Sequence, residues 1–326
     1  MKKFDMDTYI SICLQGDYSK LVTYLSETDD AELLEKYRSI IEGDTYFLQP
    51  NDESITPLLR AYEDYLKWAL TNPSTTKEYE QKIVETLKPF FPRAGFISKF
   101  SPKLAYLALH VHVPRYFRKR GYHANFGTIS HIPCISLWRK QTTCTEVVEL
   151  PEGALQIEVV EMDGIITRCW QDYITLGRVG AGGWVTKKGC TYFKEKYDIE
   201  SDDFKVSLLK HEGQHFFDRK NHPKMKSTDL EYRAKLVEMI YLRELGTFFH
   251  FLTAMADSDD RTRAHAYAER KLVQGLSQKI FGVELETNRD AWEAKRDEIA
   301  PAARELLLEH SAMLAKGQWD GKSFVI

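Results

Sequence analysis

The chain has 326 residues, which is more than one average domain but also fits one large domain with an appendage, and its 43% hydrophobic and 12% aromatic residues suffice for a substantial core. Its 45 basic residues stand against 48 acidic ones, and this formal charge of −3 favours neither a nucleic acid nor a membrane surface as partner. No apolar run approaches the ~18 residues of a transmembrane helix, and we expect no signal peptide. Five scattered cysteines without a CxxC pair predict reduced thiols and a cytoplasmic protein.

Residues 1 to about 95 have the periodicity of amphipathic helices. Three segments carry it: DAELLEKYRSIIEG, SITPLLRAYEDYLKWAL and TTKEYEQKIVETLKPFF. The stripes of the first two predict these core side chains: Leu33, Leu34, Tyr37, Ile40, Ile41, Leu58, Leu59, Tyr62, Tyr65 and Leu66. No repeat of fixed period occurs, so we predict a helical bundle or helical hairpins rather than a solenoid.

The segment HVHVPRYFRKRGYH contains a histidine pair and a basic cluster. On a strand, His110 and His112 would face one side and offer a second metal site. No acidic residue lies nearby, however, and an ordinary surface pair is the simpler interpretation. The basic cluster could contact RNA or phosphate, but a solvated patch or a contact to an acidic substrate fits the chain's overall charge better.

Residues from about 127 to 193 read as a small, mainly antiparallel sheet. Leu155, Ile157 and Val159 alternate with polar residues, and Asp163-Gly164 predicts a two-residue hairpin turn. The chain has no βαβ alternation and no glycine-rich phosphate loop, which argues against a Rossmann or P-loop enzyme.

Helical periodicity returns after Ser201, a good N-cap, and the stretch LLKHEGQHFFD lies in this helix. His211 and His215 are four residues apart and therefore share one helix face, where both can bind one zinc ion. Glu212 lies about 100° around the helix and can act as general base towards a water activated by the metal. This HExxH pattern predicts a metal-dependent hydrolase. The alternative is an amphipathic helix in which the two histidines occur by chance.

A catalytic zinc site needs a third protein ligand. His222 does not qualify through the extended pattern HExxHxxGxxH, because Asp218 and Asn221 occupy its glycine and histidine positions. Glu231, sixteen residues after His215 on the next predicted helix, is the better candidate.

Glu231 also has a purely structural interpretation. Thr228 and Glu231 have the spacing of a capping box, in which the glutamate only satisfies the helix N-terminus. The upstream HExxH pattern favours the ligand role. Glu238 and Glu244 are the fallback ligands.

The run Glu231-Tyr232-Arg233-Ala234 matches the pattern E-[FY]-x-A, and together with HExxH it resembles the gluzincin metallopeptidases over residues 175 to 245. The resemblance implies a zincin-like fold, Zn²⁺ held by His211, His215 and Glu231, Glu212 as general base, and a peptide or protein substrate.

The sequence departs from the gluzincin pattern at Lys235. Many gluzincins have an aspartate at this position that orients a ligand histidine, and a metal-bound histidine needs such an acceptor. Asp229 or Glu238 is the alternative acceptor, and Glu238, seven residues after Glu231, shares its helix face.

In the zincin fold that the chain resembles, an edge strand before the active-site helix binds the extended substrate. AGGWV is the candidate here, with Gly183 and Trp184 as substrate-binding residues, because a free edge presents backbone donors and acceptors to a peptide. An ordinary strand after a glycine-rich turn is the alternative. The transition-state stabiliser is left open among His250, His265 and Tyr267.

The predicted fold is therefore α+β and mostly helical. A helical region over 1–95 precedes a zincin-like domain over 96–326, with its sheet at about 127–193, active-site helices at about 202–250 and C-terminal helices at 260–316. The predicted function is zinc-dependent peptide hydrolysis, without nucleic acid or membrane and with the oligomeric state open. A catalytically silent zincin-fold binding protein and a helical interaction protein are the alternatives.

Overall fold

The computed structural model describes residues 2–186, 188–254 and 264–316, which form fourteen α-helices and five β-strands. This confirms the predicted α+β, mostly helical class. The chain divides into two compact units. Unit 1 comprises Met1–Thr142 and Met162–Gly182, and unit 2 comprises Thr143–Glu161 and Gly183–Ile326.

Unit 1 is built on eight helices: α1 (Met6–Cys13), α2 (Tyr18–Glu27), α3 (Ala31–Tyr37), α4 (Thr56–Thr71), α5 (Thr76–Leu87), α6 (Pro92–Ser98), α7 (Pro102–Arg118) and α8 (Trp170–Ile174). A π-helical segment, Arg38–Glu42, continues α3. Every core side chain predicted from the two N-terminal stripes is buried in this unit, so the predicted helical periodicity is confirmed. Helix α5 begins with a capping box between Thr75 and Glu78.

The strands are β1 (His123–Ile129), β2 (Ile132–Leu150), β3 (Gly153–Thr167), β4 (Gly183–Val185) and β5 (Gly189–Phe193), in the order β1-β2-β3-β5-β4. In unit 1, β1 pairs antiparallel with β2 from His123↔Trp138 to Ile129↔Ile132. In unit 2, β4 pairs antiparallel with β5, with Trp184 opposite Thr191. Strand β4 therefore lies at one edge of the sheet, as expected for AGGWV.

The hairpin turn predicted at Asp163-Gly164 is wrong. Strand β3 runs through both residues, and the turn joining β2 to β3 is made by residues 151 and 152. Gly164 has a φ of 70°, and a Cβ at this position would lie 2.9 Å from Arg139 Cβ. Gly164 is required because the side chain of Arg139 on β2 approaches β3 closely at this point. It does not reverse the chain, and β3 continues through it.

The strand interpretation of the histidine pair is also wrong. His110 and His112 lie on helix α7, where residues two apart point in different directions. The His110 ring packs against Tyr106 and Phe126 at centroid distances of 5.2 and 5.1 Å. Its burial lowers the pKa of His110. The pair therefore does not form the second metal site that a strand would have offered.

Unit 2 contains six helices: α9 (His211–Asn221), α10 (Ser227–Tyr241), α11 (Gly246–Ala254), α12 (Ala264–Phe281), α13 (Arg289–Ala294) and α14 (Arg296–Ala315). A π-helical segment, Asp203–Lys210, leads directly into α9. The core of the unit is formed by one face of the sheet strands and the apolar faces of α10, α12 and α14, and includes Tyr232, Leu236, Leu272, Trp292 and Leu306. Residues 260–263 of the predicted C-terminal helices lie outside the described residues.

The boundary predicted near residue 95 does not coincide with the division into units. Helix α6 spans that boundary and helix α7 follows it, and both belong to unit 1. None of the helices in the described ranges has the length and hydropathy needed to cross a lipid bilayer.

Candidate metal centre

Helix α9 carries the HExxH residues. The helical run that leads into it is capped as the sequence predicts, because the Ser201 hydroxyl accepts a hydrogen bond of 3.2 Å from the Phe204 amide. His211 and His215 are both buried, and their rings meet edge to face with centroids 4.6 Å apart. The i, i+4 spacing therefore places both imidazoles on one face of the helix.

Helix α10 supplies the third member of the cluster. It begins at Ser227, and no side chain caps its first turn. The capping box considered for Thr228 and Glu231 is therefore not formed. Glu231 lies one turn into the helix and is free to direct its carboxylate at α9.

The three predicted ligands converge. Glu231 Oε2 lies 3.4 Å from His211 Nε2, and Glu231 Oε1 lies 3.3 Å from His215 Nε2. One ligand atom from each residue can be chosen so that all three lie within 4.8 Å of one another. Two imidazole nitrogens and a carboxylate oxygen are a donor set that suits Zn²⁺.

The cluster is strongly coupled electrostatically. Burial alone would lower the pKa of His211, but the carboxylates of Glu231 and Glu238 raise it to about 10. Burial alone would raise the pKa of Glu231, but hydrogen bonds from His211, His215 and His265 hold it well below its usual range. Without a metal, a protonated His211 thus balances the buried carboxylate of Glu231. A metal ion would replace that proton.

Glu238 is the acceptor for the first histidine. Its Oε1 lies 2.6 Å from His211 Nδ1, which confirms the contact expected from the seven-residue spacing to Glu231. Lys235, at the position where many gluzincins have aspartate, instead forms a buried ion pair of 3.0 Å with Glu269. The departure at Lys235 therefore leaves His211 with an orienting carboxylate from the same helix.

Three buried polar atoms on α9 have no hydrogen-bond partner among the described residues. They are Glu212 Oε2, Gln214 Oε1 and His215 Nδ1. Burial, and then the charge of the Glu212 carboxylate, raise the pKa of Cys190 on β5 to about 12. A carboxylate oxygen without a protein partner beside two imidazoles fits a site that receives a polar group from outside the chain.

A third histidine reaches the cluster from α12. His265 Nδ1 lies 3.0 Å from Glu231 Oε2, and its side chain is 72% exposed. Among the three candidates for the transition-state stabiliser, His265 is the one with a defined contact to a predicted ligand. Tyr267 is buried in the same helix, and the side chain of His250 lies outside the described residues.

The sequence analysis missed the network that holds α9 against α10. The fully buried Arg233 donates through Nε to both carboxylate oxygens of Asp218, at 3.0 and 2.9 Å. It also pairs with Glu152 in the turn between β2 and β3, and its Nη1 donates to Ser311 on α14 at 2.9 Å. The sequence does carry a sign of this network: Asp218 and Arg233 lie within helical segments with apolar neighbours, where a charged residue is buried only if it is paired.

Strand β4 shares a cavity with α9. The cavity has a volume of 370 Å³ and is lined by Val185, Thr186, Phe216, Arg219 and Lys220. A Cβ at Gly183 would lie 2.0 Å from the Thr191 carbonyl oxygen, so the glycine is required by the pairing of β4 with β5. The Trp184 ring packs edge to face against Phe193 at 5.8 Å.

No protein-family model matches the chain, and no curated protein and no solved structure matches it significantly.

Proposed function

We propose that the chain is a zinc-dependent metallopeptidase of the gluzincin type. The observation that carries the proposal is the convergence of His211, His215 and Glu231, from two different helices, on one point with ligand atoms within 4.8 Å of one another. Chance placement of an HExxH pattern predicts no such convergence. The partly exposed His265 at the cluster indicates that the site is reached from solvent.

Each residue has a defined role in the proposed reaction. His211, His215 and Glu231 would hold the zinc ion, which when bound lowers the pKa of water towards ~7 and polarises the scissile carbonyl. Glu238 keeps the His211 proton on Nδ1, so that Nε2 faces the cluster. Glu212 accepts a proton from the attacking water and transfers it to the leaving amine as the peptide C–N bond breaks.

The substrate that fits this arrangement is an extended peptide. Strand β4 lies at the sheet edge and would pair with a substrate backbone near Gly183 and Trp184. The cavity between the end of β4 and α9 would receive a side chain of that peptide. We further propose a cytoplasmic location, since all five cysteines are free thiols.

A catalytically silent binding protein with the same metal site is the second candidate. Lys235 is the feature that favours it, because this position departs from the gluzincin pattern. The contact between Glu238 and His211 weakens that case, since the histidine keeps a carboxylate acceptor.

Metal content is the first test. Wild type, purified without a histidine tag, should contain about one zinc per chain, and Glu231→Ala should lose most of it, because two remaining ligands hold zinc poorly. Elemental analysis measures both. Absence of metal from wild type after reconstitution with zinc would refute the metal site and leave a helical interaction protein.

Hydrolysis of a peptide library is the second test. Glu212→Gln should keep its zinc and lose about 10²–10⁴-fold in rate, the usual contribution of a positioned general base. Full activity in Glu212→Gln would refute the assigned role. A zinc-loaded wild type that hydrolyses no peptide would favour the silent binding protein.

A further inference from the structure

Unit 1 exposes a cluster of large apolar side chains on α6 and α7. Twelve large hydrophobic side chains are exposed among the described residues, and five of them fall within residues 96–111: Phe96, Phe100, Leu104, Leu107 and Val111. Their exposed fractions run from 50% to 77%, and the Phe96 and Phe100 rings contact each other at 5.3 Å. Apolar side chains clustered in this way mark an interaction surface.

Helix α7 is apolar on two sides. Its inner face packs into the core of unit 1 through Tyr106, Leu109, Val113 and Phe117. On its outer face, Leu104, Leu107 and Val111 follow one another at spacings of three and four residues and therefore form one exposed stripe. Packing against the core of unit 1 explains why the inner face is apolar. It does not explain why the outer, exposed face is apolar as well.

Basic residues border this stripe. Lys103 lies at its N-terminal end, and Arg115 and Arg118 continue the same outer face towards the C-terminus. These three side chains form no ion pair with another described residue. The outer face is thus an apolar stripe with free positive charge at both ends.

The charge pattern extends well beyond the helix. Residues 86–145 contain ten lysines and arginines and no aspartate or glutamate, although acidic residues outnumber basic ones in the whole chain. A segment without acids carries a local positive field that the net charge of −3 conceals. Its natural counterpart is an anionic surface.

A lipid surface fits these side chains better than a nucleic acid. Leu and Val insert into the boundary between headgroups and acyl chains, whereas a nucleic acid, which stacks its bases on aromatic rings, would leave these aliphatic side chains in water. Phe117, an aromatic residue inside the basic cluster, is buried in the core and cannot stack on a base. Helix α7 has 17 residues and is about 25 Å long, enough to lie in the plane of a membrane interface.

We infer that the outer face of α7, with Phe96 and Phe100, binds the surface of anionic membranes. Binding is peripheral: the apolar stripe enters the headgroup region, and Lys103, Arg115 and Arg118 contact lipid phosphates. The inference revises the sequence expectation of no membrane partner. It does not depend on the metal site in unit 2.

Sedimentation of the full-length protein with vesicles tests the inference. Wild type should pellet with vesicles of about 30% phosphatidylglycerol in phosphatidylcholine at about 50 mM salt, and much less with pure phosphatidylcholine. Leu107→Gln/Val111→Gln should weaken binding about tenfold or more, because it removes two inserted side chains. Lys103→Gln/Arg115→Gln/Arg118→Gln should remove the preference for phosphatidylglycerol.

The control is Val147→Gln/Leu308→Gln in unit 2, which changes two side chains of similar exposure outside the basic segment. Leu308 lies beside Glu305 and Glu309 on α14, so this variant should bind as wild type does. The inference is overturned if wild type does not bind anionic vesicles, or if Leu107→Gln/Val111→Gln binds them equally well. A self-association abolished by that variant, without vesicle binding, would assign the face to a second copy of the chain.

Discussion

The carboxylate of Glu238 determines which nitrogen of His211 faces Glu231 and the proposed metal site. Because it lies 2.6 Å from Nδ1, a neutral His211 keeps its proton there and presents the lone pair of Nε2 to Glu231 and to a metal. The side chain binds no metal itself. It orients a ligand through one hydrogen bond.

Glu238→Ala should therefore weaken zinc affinity about 10–100-fold without abolishing binding, the usual effect of removing an outer-shell acceptor. Competition with a chromophoric chelator measures the affinity. Glu244→Ala is the control, since Glu244 is exposed in the loop after α10, away from His211, and should leave the affinity unchanged. Equal affinities for wild type and Glu238→Ala would contradict the orienting role.

Helical periodicity was enough to place His211 with His215 on one face and Glu231 with Glu238 on another. The choice of Glu231 as third ligand came from the HExxH motif and the resemblance to gluzincins, and the acceptor stayed open between Asp229 and Glu238. The contacts of His265 and Arg233 could not be predicted in this way. Periodicity indicates which face a residue occupies, but it does not identify a partner 34 or 81 positions away, such as Glu231 for His265 or Glu152 for Arg233.

At the scale of elements, helices α9 and α10 are joined by the buried ion pair of Arg233 with Asp218. Both side chains are fully buried, and Arg233 lies two residues after Glu231. Burial raises the pKa of Asp218 despite the nearby guanidinium. The pair thus fixes the two helices that carry the three predicted ligands.

Arg233→Met should destabilise the protein by about 3–5 kcal/mol, because it leaves the fully buried carboxylate of Asp218 and the partly buried one of Glu152 without their cation. Urea unfolding of the metal-free protein measures the loss. Arg243→Met is the control. Arg243 is 81% exposed, and its Nε lies 3.7 Å from Asp202 Oδ1, which is too long for a hydrogen bond, so its removal should cost less than about 1 kcal/mol. Similar losses in the two variants would contradict the proposed role of the pair.

Gly183→Ala should displace β4, since its Cβ would lie 2.0 Å from the Thr191 carbonyl oxygen. If β4 binds the substrate, KM should rise while zinc content stays at the wild-type level. Gly127→Ala on β1 is the control, because a Cβ there meets only Asn125 Nδ2 at 3.8 Å. An unchanged KM in Gly183→Ala, with altered backbone exchange at β4, would exclude this strand from substrate binding.

The strands were harder to predict than the helices. Asp163-Gly164 has the composition of a hairpin turn, yet β3 continues through it because glycine is needed for the approach of Arg139. Turn composition is a local signal, whereas strand length depends on which neighbour the strand pairs with. The apolar stripes of α3 and α4 succeeded because a helix face is defined within the helix itself.

At the scale of the whole molecule, a buried histidine links stability to pH. His310 on α14 has no solvent exposure, and burial, with the nearby charge of Arg233, lowers its pKa to about 3. The unfolded chain takes up this proton near pH ~6.5. Between pH ~6.5 and about 3, His310 is protonated in the unfolded chain but neutral in the folded one, so the free energy of unfolding falls as pH falls. This loss of stability reaches its full size once the pH is below the pKa of His310 in the folded protein.

His310→Gln should therefore show a shallower loss of stability than wild type between about pH 6.5 and 4, with a difference approaching 1.4 kcal/mol per pH unit. Urea midpoints of metal-free protein at several pH values measure the slope. His123→Gln, at an exposed position in unit 1, should retain the wild-type slope. A parallel pH dependence for His310→Gln and wild type would show that His310 does not carry the effect.

Unit 2 is assembled from two separate stretches, Thr143–Glu161 and Gly183–Ile326, with the last piece of unit 1 between them. During synthesis the ribosome completes Met162–Gly182 before most of unit 2 exists. Unit 1 can therefore fold on the nascent chain. The first stretch of unit 2 cannot bury its apolar side chains until α10, α12 and α14, which form the rest of its core, have been synthesised. The three predicted ligands emerge during this interval, so the proposed metal would bind late, after unit 1 has been synthesised.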